Sequence, residues 1–246
     1  MKISPEEALA PVQPSETASL VRGLAVRPEG LSPHSGATRM LVNISGIEDR
    51  QLPPSDPIQT RTSRGYLITM PPEPPLPLPE DLEPDEQTEN LASDAFISAD
   101  HETIRKTAIE IAGGETDPWR LAVLLHDWVY AEIDKQSIIS IPTALDVLRT
   151  RQGDCNEHAV LYTALARALG LPARIAIGIV WSDELDAFGY HAWSEVHVGG
   201  WIPVDPALGQ PIADATHIKL LNGSIDKWTQ LLPYIGQLRL EVIEIE

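Results

Sequence analysis

At 246 residues the chain has room for one large domain, or for a core of about 150 residues with a smaller unit attached, and its 43% hydrophobic content is ordinary for a globular protein. Its 36 acidic against 18 basic residues give a formal charge of −18, which argues against a nucleic-acid binder that tracks phosphates through clustered Lys and Arg. No run of about 18 apolar residues is present, so no transmembrane segment is predicted. Met1-Lys2-Ile3-Ser4-Pro5-Glu6-Glu7 lacks the basic-then-apolar pattern of a secretory signal. As written the chain reads as cytoplasmic; a secreted or periplasmic mature fragment given Met1 would read the same. The one cysteine, Cys155, cannot form an internal disulfide.

Residues 1–20 are rich in Pro, Ser and Glu without periodicity and read as a loosely ordered arm. Leu20 to Val26, Arg39 to Ile44 and Tyr66 to Met70 carry aliphatic and β-branched residues between Gly, Pro and Ser clusters, which predicts three strands of a small β unit. Pro71-Pro72-Glu73-Pro74-Pro75-Leu76-Pro77-Leu78-Pro79 should run extended, and Glu80 to Glu86 continues it as a charged, solvated spacer. The β unit and this linker fill residues 21–95, and a second, larger domain is expected over 96–246.

That domain opens with helices. Glu102 to Ala112 carries Ile104, Ala108 and Ile111 on one face before Gly113-Gly114. Asp117 caps a second helix with Pro118 first, and Leu121, Leu124, Leu125, Trp128 and Val129 form its apolar stripe. Thr143 and Asp146 start a short helix that ends before Gln152-Gly153. Cys155 opens the next one, with Asp154 and Glu157 at capping-box spacing and Gly170 stopping it. Strands follow at Ala173 to Trp181, Tyr190 to Val198, Trp201 to Val204 and Leu238 to Ile245. Val198-Gly199-Gly200-Trp201 reads as a tight hairpin, so His191 and Asp205 should fall at the same end of two antiparallel strands. Helices followed by an antiparallel sheet predict an α+β fold.

A sulfur at a helix N-terminus meets unpaired N–H groups and the positive end of the dipole, which should lower its pKa and make Cys155 a candidate nucleophile. A thiol attacking an acyl carbon also needs a base, and an imidazole held by a carboxylate supplies one in the correct tautomer. His191 and Asp205 provide those parts on strand-like segments. Gly153-Asp154-Cys155 with its helix, Tyr190-His191-Ala192-Trp193-Ser194-Glu195-Val196, and Gly200-Trp201-Ile202-Pro203-Val204-Asp205-Pro206 closely resemble the three core motifs of the transglutaminase-like superfamily.

The resemblance spans about residues 100 to 220 and implies a papain-like cysteine-protease core. By it, Cys155 is the nucleophile, His191 the general base and acid, and Asp205 the orienting carboxylate. It implies a peptide or protein substrate with a Gln-type or peptide amide, an amine or water as acceptor, a thioester intermediate and no cofactor. The first oxyanion donor would be the Cys155 N–H. The Gln that papain-like proteases place upstream is missing from Val147-Leu148-Arg149-Thr150-Arg151, while the upstream indole of transglutaminases leaves Trp119 or Trp128 as candidates. Trp193 is a candidate for lining the site as well as a cross-strand packing residue. No EF-hand signature is present, and Cys155 with His158 makes at most half of a zinc site, so no metal is expected. Asp214-Ala215-Thr216-His217 reads as a polar cluster near the site or a simple loop, and Arg174 as a surface ion pair or a substrate contact. The alternatives to a transglutaminase, protease or amidase are a scaffold that keeps the fold without turnover and a carrier- or peptide-tailoring acyltransferase.

Overall fold

The computed structural model describes residues 23–75, 81–136, 142–223 and 225–246. The arm read over 1–20, the start of the first predicted strand and the middle of the Pro-rich segment lie outside them. Eleven strands and five α-helices are found among the described residues.

The core is built around one helix. Cys155–Ala168 (α5) follows Pro84–Leu91 (α1), Glu102–Ala112 (α2), Pro118–Glu132 (α3) and Ala144–Thr150 (α4). Every residue of α5 from Glu157 to Ala166 is buried. A helix apolar on all sides must be covered on all sides, and α5 packs against α2, α3 and α4 on one side and a sheet on the other. Leu161 and Leu165, both fully buried, contribute about 1.5–3 kcal/mol each by leaving water. The supporting helices are capped as their sequences require: Asp117 accepts from the Arg120 N–H, Thr143 from the Asp146 N–H, and Gly113 ends α2 at φ 57°.

The sheet behind α5 is antiparallel, in the order Ile218–Asn222 (β10), Ala173–Ser182 (β7), Ala187–His197 (β8), Trp201–Val204 (β9). β8 and β9 form the predicted hairpin, with His197 opposite Trp201 and Gly199 at φ 87°. A second sheet contains Glu29–Gly30 (β1), Arg39–Ser45 (β2), Gln59–Thr62 (β3), Gly65–Thr69 (β4) and Arg239–Ile245 (β11), in the order β1-β11-β2-β4-β3. Asp134–Lys135 (β5) and Gln152–Gly153 (β6) pair in parallel. The α+β architecture is therefore the one expected. No helix among the described residues is long and apolar enough to cross a membrane.

Three local expectations change. Leu20 to Val26 is not a strand where it is described: Val26 makes only an isolated bridge to Phe188. The sheet of the N-terminal segment is completed by β11, from the far end of the chain, which pairs with both β2 and β1. The acidic stretch read as a solvated spacer contains α1, with Pro84 in its first turn beside Asp85 and Glu86, where carboxylates favour the helix dipole. Glu86 fastens α1 to the sheet by accepting from Trp201 Nε1 at 3.2 Å and facing Arg174 at 3.4 Å.

Candidate active site

The cysteine loop is shaped by two backbone requirements. Arg151 ends α4 in the left-handed region at φ 56°, and Gln152-Gly153 then pairs with β5. Gly153 has no room for a side chain, because a Cβ there would collide with the Glu157 side chain. The chain turns into α5 through a capping box: the Asp154 carboxylate accepts from the Asn156 and Glu157 N–H groups, and Glu157 accepts from the Asp154 N–H at 3.0 Å. These bonds use the second and third amides of the first turn. The amide of Cys155, at the first position, is left outside both the cap and the helical ladder.

Cys155 is half-buried, and the Ala192 N–H acts on its sulfur from β8. The residue adjoining His191 is therefore against the thiol. The expected thiolate-favouring effect of the helix N-terminus is overturned. Burial pushes the Cys155 thiol up, the negative charges of Asp154, Asp205 and Glu157 push it further, and the Ala192 N–H opposes them without winning. Asp154 itself is raised to about 7, by burial and by the hydrogen-bonded Glu157 carboxyl.

His191 lies buried on β8, opposite Gly178 of β7. Its Nε2 is 2.6 Å from Oδ2 of Asp205, which follows directly on β9 and is fully buried. With Nε2 donating to the carboxylate, Nδ1 is the nitrogen left to accept a proton. The Ala207 and Leu208 N–H groups donate to Oδ1 of Asp205 at 2.8 and 3.0 Å. A second imidazole, His217, reaches Oδ2 through its Nε2 at 3.1 Å, while its Nδ1 faces the backbone and side-chain oxygens of Asp214 at 3.1 and 3.3 Å. Burial works against charge on Asp205, yet His191 and His217 hold its carboxyl far below the usual carboxylate range. Burial also opposes charge on His217, but Asp205 and Asp214 outweigh it and raise the imidazole to about 9.

Trp193 lies buried beside both rings, nearly parallel to His191 at 6.3 Å between centroids and edge-on to His217 at 5.1 Å. Beneath it, Lys219 Nζ bridges Glu195 and Asp56 at 2.5 Å each, and Arg174 donates to Glu195 at 2.7 Å while stacking on Trp201. Arg174 is thus an internal clamp rather than a solvated surface charge. The sequence reading missed the Lys219 network and the contact between His217 and Asp205. The Asp214 to His217 cluster was the one available signal, since nothing local ties those residues to Asp205.

The remaining candidates separate. Trp119 is buried on α3, and its Nε1 donates to Glu73 at 3.1 Å, so its N–H is already committed. Trp128 is half-buried with the Arg151 guanidinium over its ring at 4.4 Å. His158 is fully buried with Nδ1 2.6 Å from the Asp154 carbonyl. His191, Asp205 and His217 place three ligand-type atoms within 4.8 Å of one another. Each imidazole Nε2 already points at Oδ2 at hydrogen-bond distance, so a metal ion there would have to displace both bonds.

A buried carboxylate-held imidazole on the strand whose Ala192 N–H reaches a helix-borne thiol is an arrangement suited to nucleophilic acyl chemistry. Residues 105–206 match the transglutaminase-like superfamily. This transglutaminase-like region contains Cys155, His191 and Asp205, and His217 lies beyond its end. A candidate cysteine protease from Cytophaga hutchinsonii shares the fold, with a TM-score of 0.53 and 15% identity over 90% of this chain and 85% of its own. The periplasmic domain of TgpA from Pseudomonas aeruginosa aligns with a TM-score of 0.43 and 17% identity, covering 76% of this chain and 73% of its own. An uncharacterized protein of Haemophilus influenzae is 28% identical over 125 residues, covering 40% of this chain and 34% of that protein. The chain thus matches about a third of that relative's length. The transglutaminase-like match supports thiol-dependent acyl transfer or protease chemistry as the broad class.

Proposed function

We propose that the protein transfers acyl groups from a peptide or protein amide through a thioester on Cys155, as a transglutaminase, protease or amidase. The observation that carries this reading is the 2.6 Å bond from His191 Nε2 to a buried, ionised Asp205, with the Ala192 amide against the Cys155 sulfur. Asp205 fixes the tautomer, so Nδ1 of His191 takes the thiol proton as sulfur attacks the amide carbon. The carbonyl electrons move onto oxygen, where the N–H of Cys155, outside the cap and the helical ladder, is a ready donor. Collapse of the tetrahedral species breaks the C–N bond, and His191 returns its proton to the leaving ammonia or amine. Water or a second amine, deprotonated by His191, then attacks the thioester and frees the thiol. Because burial and three carboxylates oppose charge on sulfur, proton transfer to His191 must accompany attack.

The test offers the purified protein glutamine-containing and backbone-amide peptides, with and without a primary amine, and follows ammonia or amine release and the mass of Cys155. The reading expects release together with an acyl adduct on Cys155, both lost in Cys155→Ala. Absence of release and adduct across these amides would point instead to a fold kept for binding.

A further inference from the structure

We infer that His217 is a positioning residue whose positive charge, held between two buried carboxylates, clamps Asp205 and cancels part of its field at Cys155 and His191. The inference rests on the acyl-transfer reading of the same site. Oδ2 of Asp205 receives two imidazole nitrogens, at 2.6 Å from His191 and 3.1 Å from His217. Only His217 has a second anion, Asp214, on its other nitrogen, with the side-chain oxygen at 3.3 Å. Asp214 is itself fixed by the Gly36 N–H at 2.8 Å, by the Gln210 side-chain amide at 2.9 Å and by Thr216. Asp214 is held far below the usual carboxylate range, with burial opposed chiefly by the bond from His217. An imidazole with a donor on each nitrogen and a carboxylate on each side is an imidazolium.

Among the described residues, cations near this cluster are few. The charged and titratable groups around the His191, Asp205 and His217 cluster include Glu195 on β8, Asp214 in the loop before β10, Lys219 on β10, Asp56 before β3, Cys155, Asp154, Glu157 and His158 on α5, and Lys135 on β5, whose charge is felt at His158. Lys219 is engaged with Glu195 and Asp56, so its charge is spent on them. Asp205 pushes the Cys155 thiol up. His217, whose ring centroid is 6.0 Å from that of His191, is the cation placed to offset that push. Removing its charge makes the surroundings of the sulfur more negative, so the thiol proton leaves only at higher pH.

The test is the pH dependence of Cys155 alkylation by iodoacetamide, which requires no knowledge of the substrate. His217→Gln keeps an N–H for Asp205 without the charge. With a charge-to-charge distance of about 6–10 Å and an effective dielectric constant of about 20, the rising limb should move up by about one to two pH units. Asp214→Asn, which removes the carboxylate that helps hold the proton on His217, should move it in the same direction. A folded His217→Gln protein whose profile superimposes on the parent's overturns the inference, and if that variant does not fold, an unmoved profile in Asp214→Asn does the same. A merely structural His217 would lower the melting temperature without moving the limb. If alkylation of the parent protein is instead indifferent to His191→Ala, it is the acyl-transfer reading that fails.

Discussion

Replacing Asp205 by Asn tests the tautomer argument most sharply, because the two side chains share a shape and differ in protons. The Asn oxygen can still accept from the Ala207 and Leu208 amides, as Oδ1 of Asp205 does at 2.8 and 3.0 Å. The amide nitrogen then faces two imidazole nitrogens that had been donating to Oδ2. Each Nε2 must become an acceptor, which moves the His191 proton to Nδ1, the nitrogen needed to receive the thiol proton. A general base turned into a donor loses about 10²–10⁴-fold in rate. With its Nε2 turned acceptor, His217 gives up its charge too, and the fold loses the buried His217–Asp205 ion pair, a loss of about 3 kcal/mol. Taking about 3 kcal/mol, and about 2–4 °C per kcal/mol for a chain of this size, the melting temperature should fall by roughly 6–12 °C. Alkylation of Cys155 at pH 7, read beside a melting curve, is the assay. A folded Asp205→Asn protein that alkylates at the parent's rate would refute the reasoning.

Three further expectations follow from the same contacts. His217 has a folded value raised to about 9. Its stabilisation is therefore full below the unfolded value of about 6.5 and is lost as pH rises through about 9. Asp154, raised to about 7, destabilises as pH climbs from its unfolded value to that point, and the raised Cys155 thiol adds a smaller loss as pH approaches the unfolded thiol value of about 8.5, so above pH 7 the larger share of the change belongs to His217. From pH 7 to 8.5 denaturant-measured stability should drop by about 2 kcal/mol, and most of that drop should disappear in His217→Gln. Gly153→Ala should cost about 1–3 kcal/mol and slow Cys155 alkylation, since the new methyl displaces Glu157 and opens the capping box, and an unchanged melting temperature would contradict this. Trp119→Phe should leave the alkylation rate within about twofold, because the indole N–H is given to Glu73 and serves no oxyanion.

What the sequence disclosed tracks how local each determinant is. The Asp154 and Glu157 capping box, the Pro118 helix start and the Gly199-Gly200 hairpin are settled within a few residues, and these features bring the cysteine helix and the two strand-borne groups onto rigid elements. The acidic stretch around Glu86 looks solvated by composition, and its helix is anchored by Arg174 and Trp201, about 90 and 115 residues away. The strand from Arg239 to Ile245 gave no hint of its partner, because register with β2 is a long-range choice. The cysteine illustrates a different gap. Its place at a helix N-terminus was legible, but the burial and the three carboxylates that reverse the effect on its thiol arise only from tertiary packing. His217 was visible as part of a polar cluster, and its bond to Asp205 exists only once the loop folds back across β9.

On the acyl-transfer proposal, the Cys155 sulfur, disfavoured as a thiolate by its surroundings, owes its reactivity near neutral pH to His191. The most direct measurement is the second-order rate of iodoacetamide modification of Cys155 at pH 7 in the parent protein and in His191→Ala, with folding checked for both. The expected result is a loss of about 10²-fold or more in His191→Ala, with reactivity returning only at strongly alkaline pH. Equal rates in the two proteins at pH 7 would contradict it.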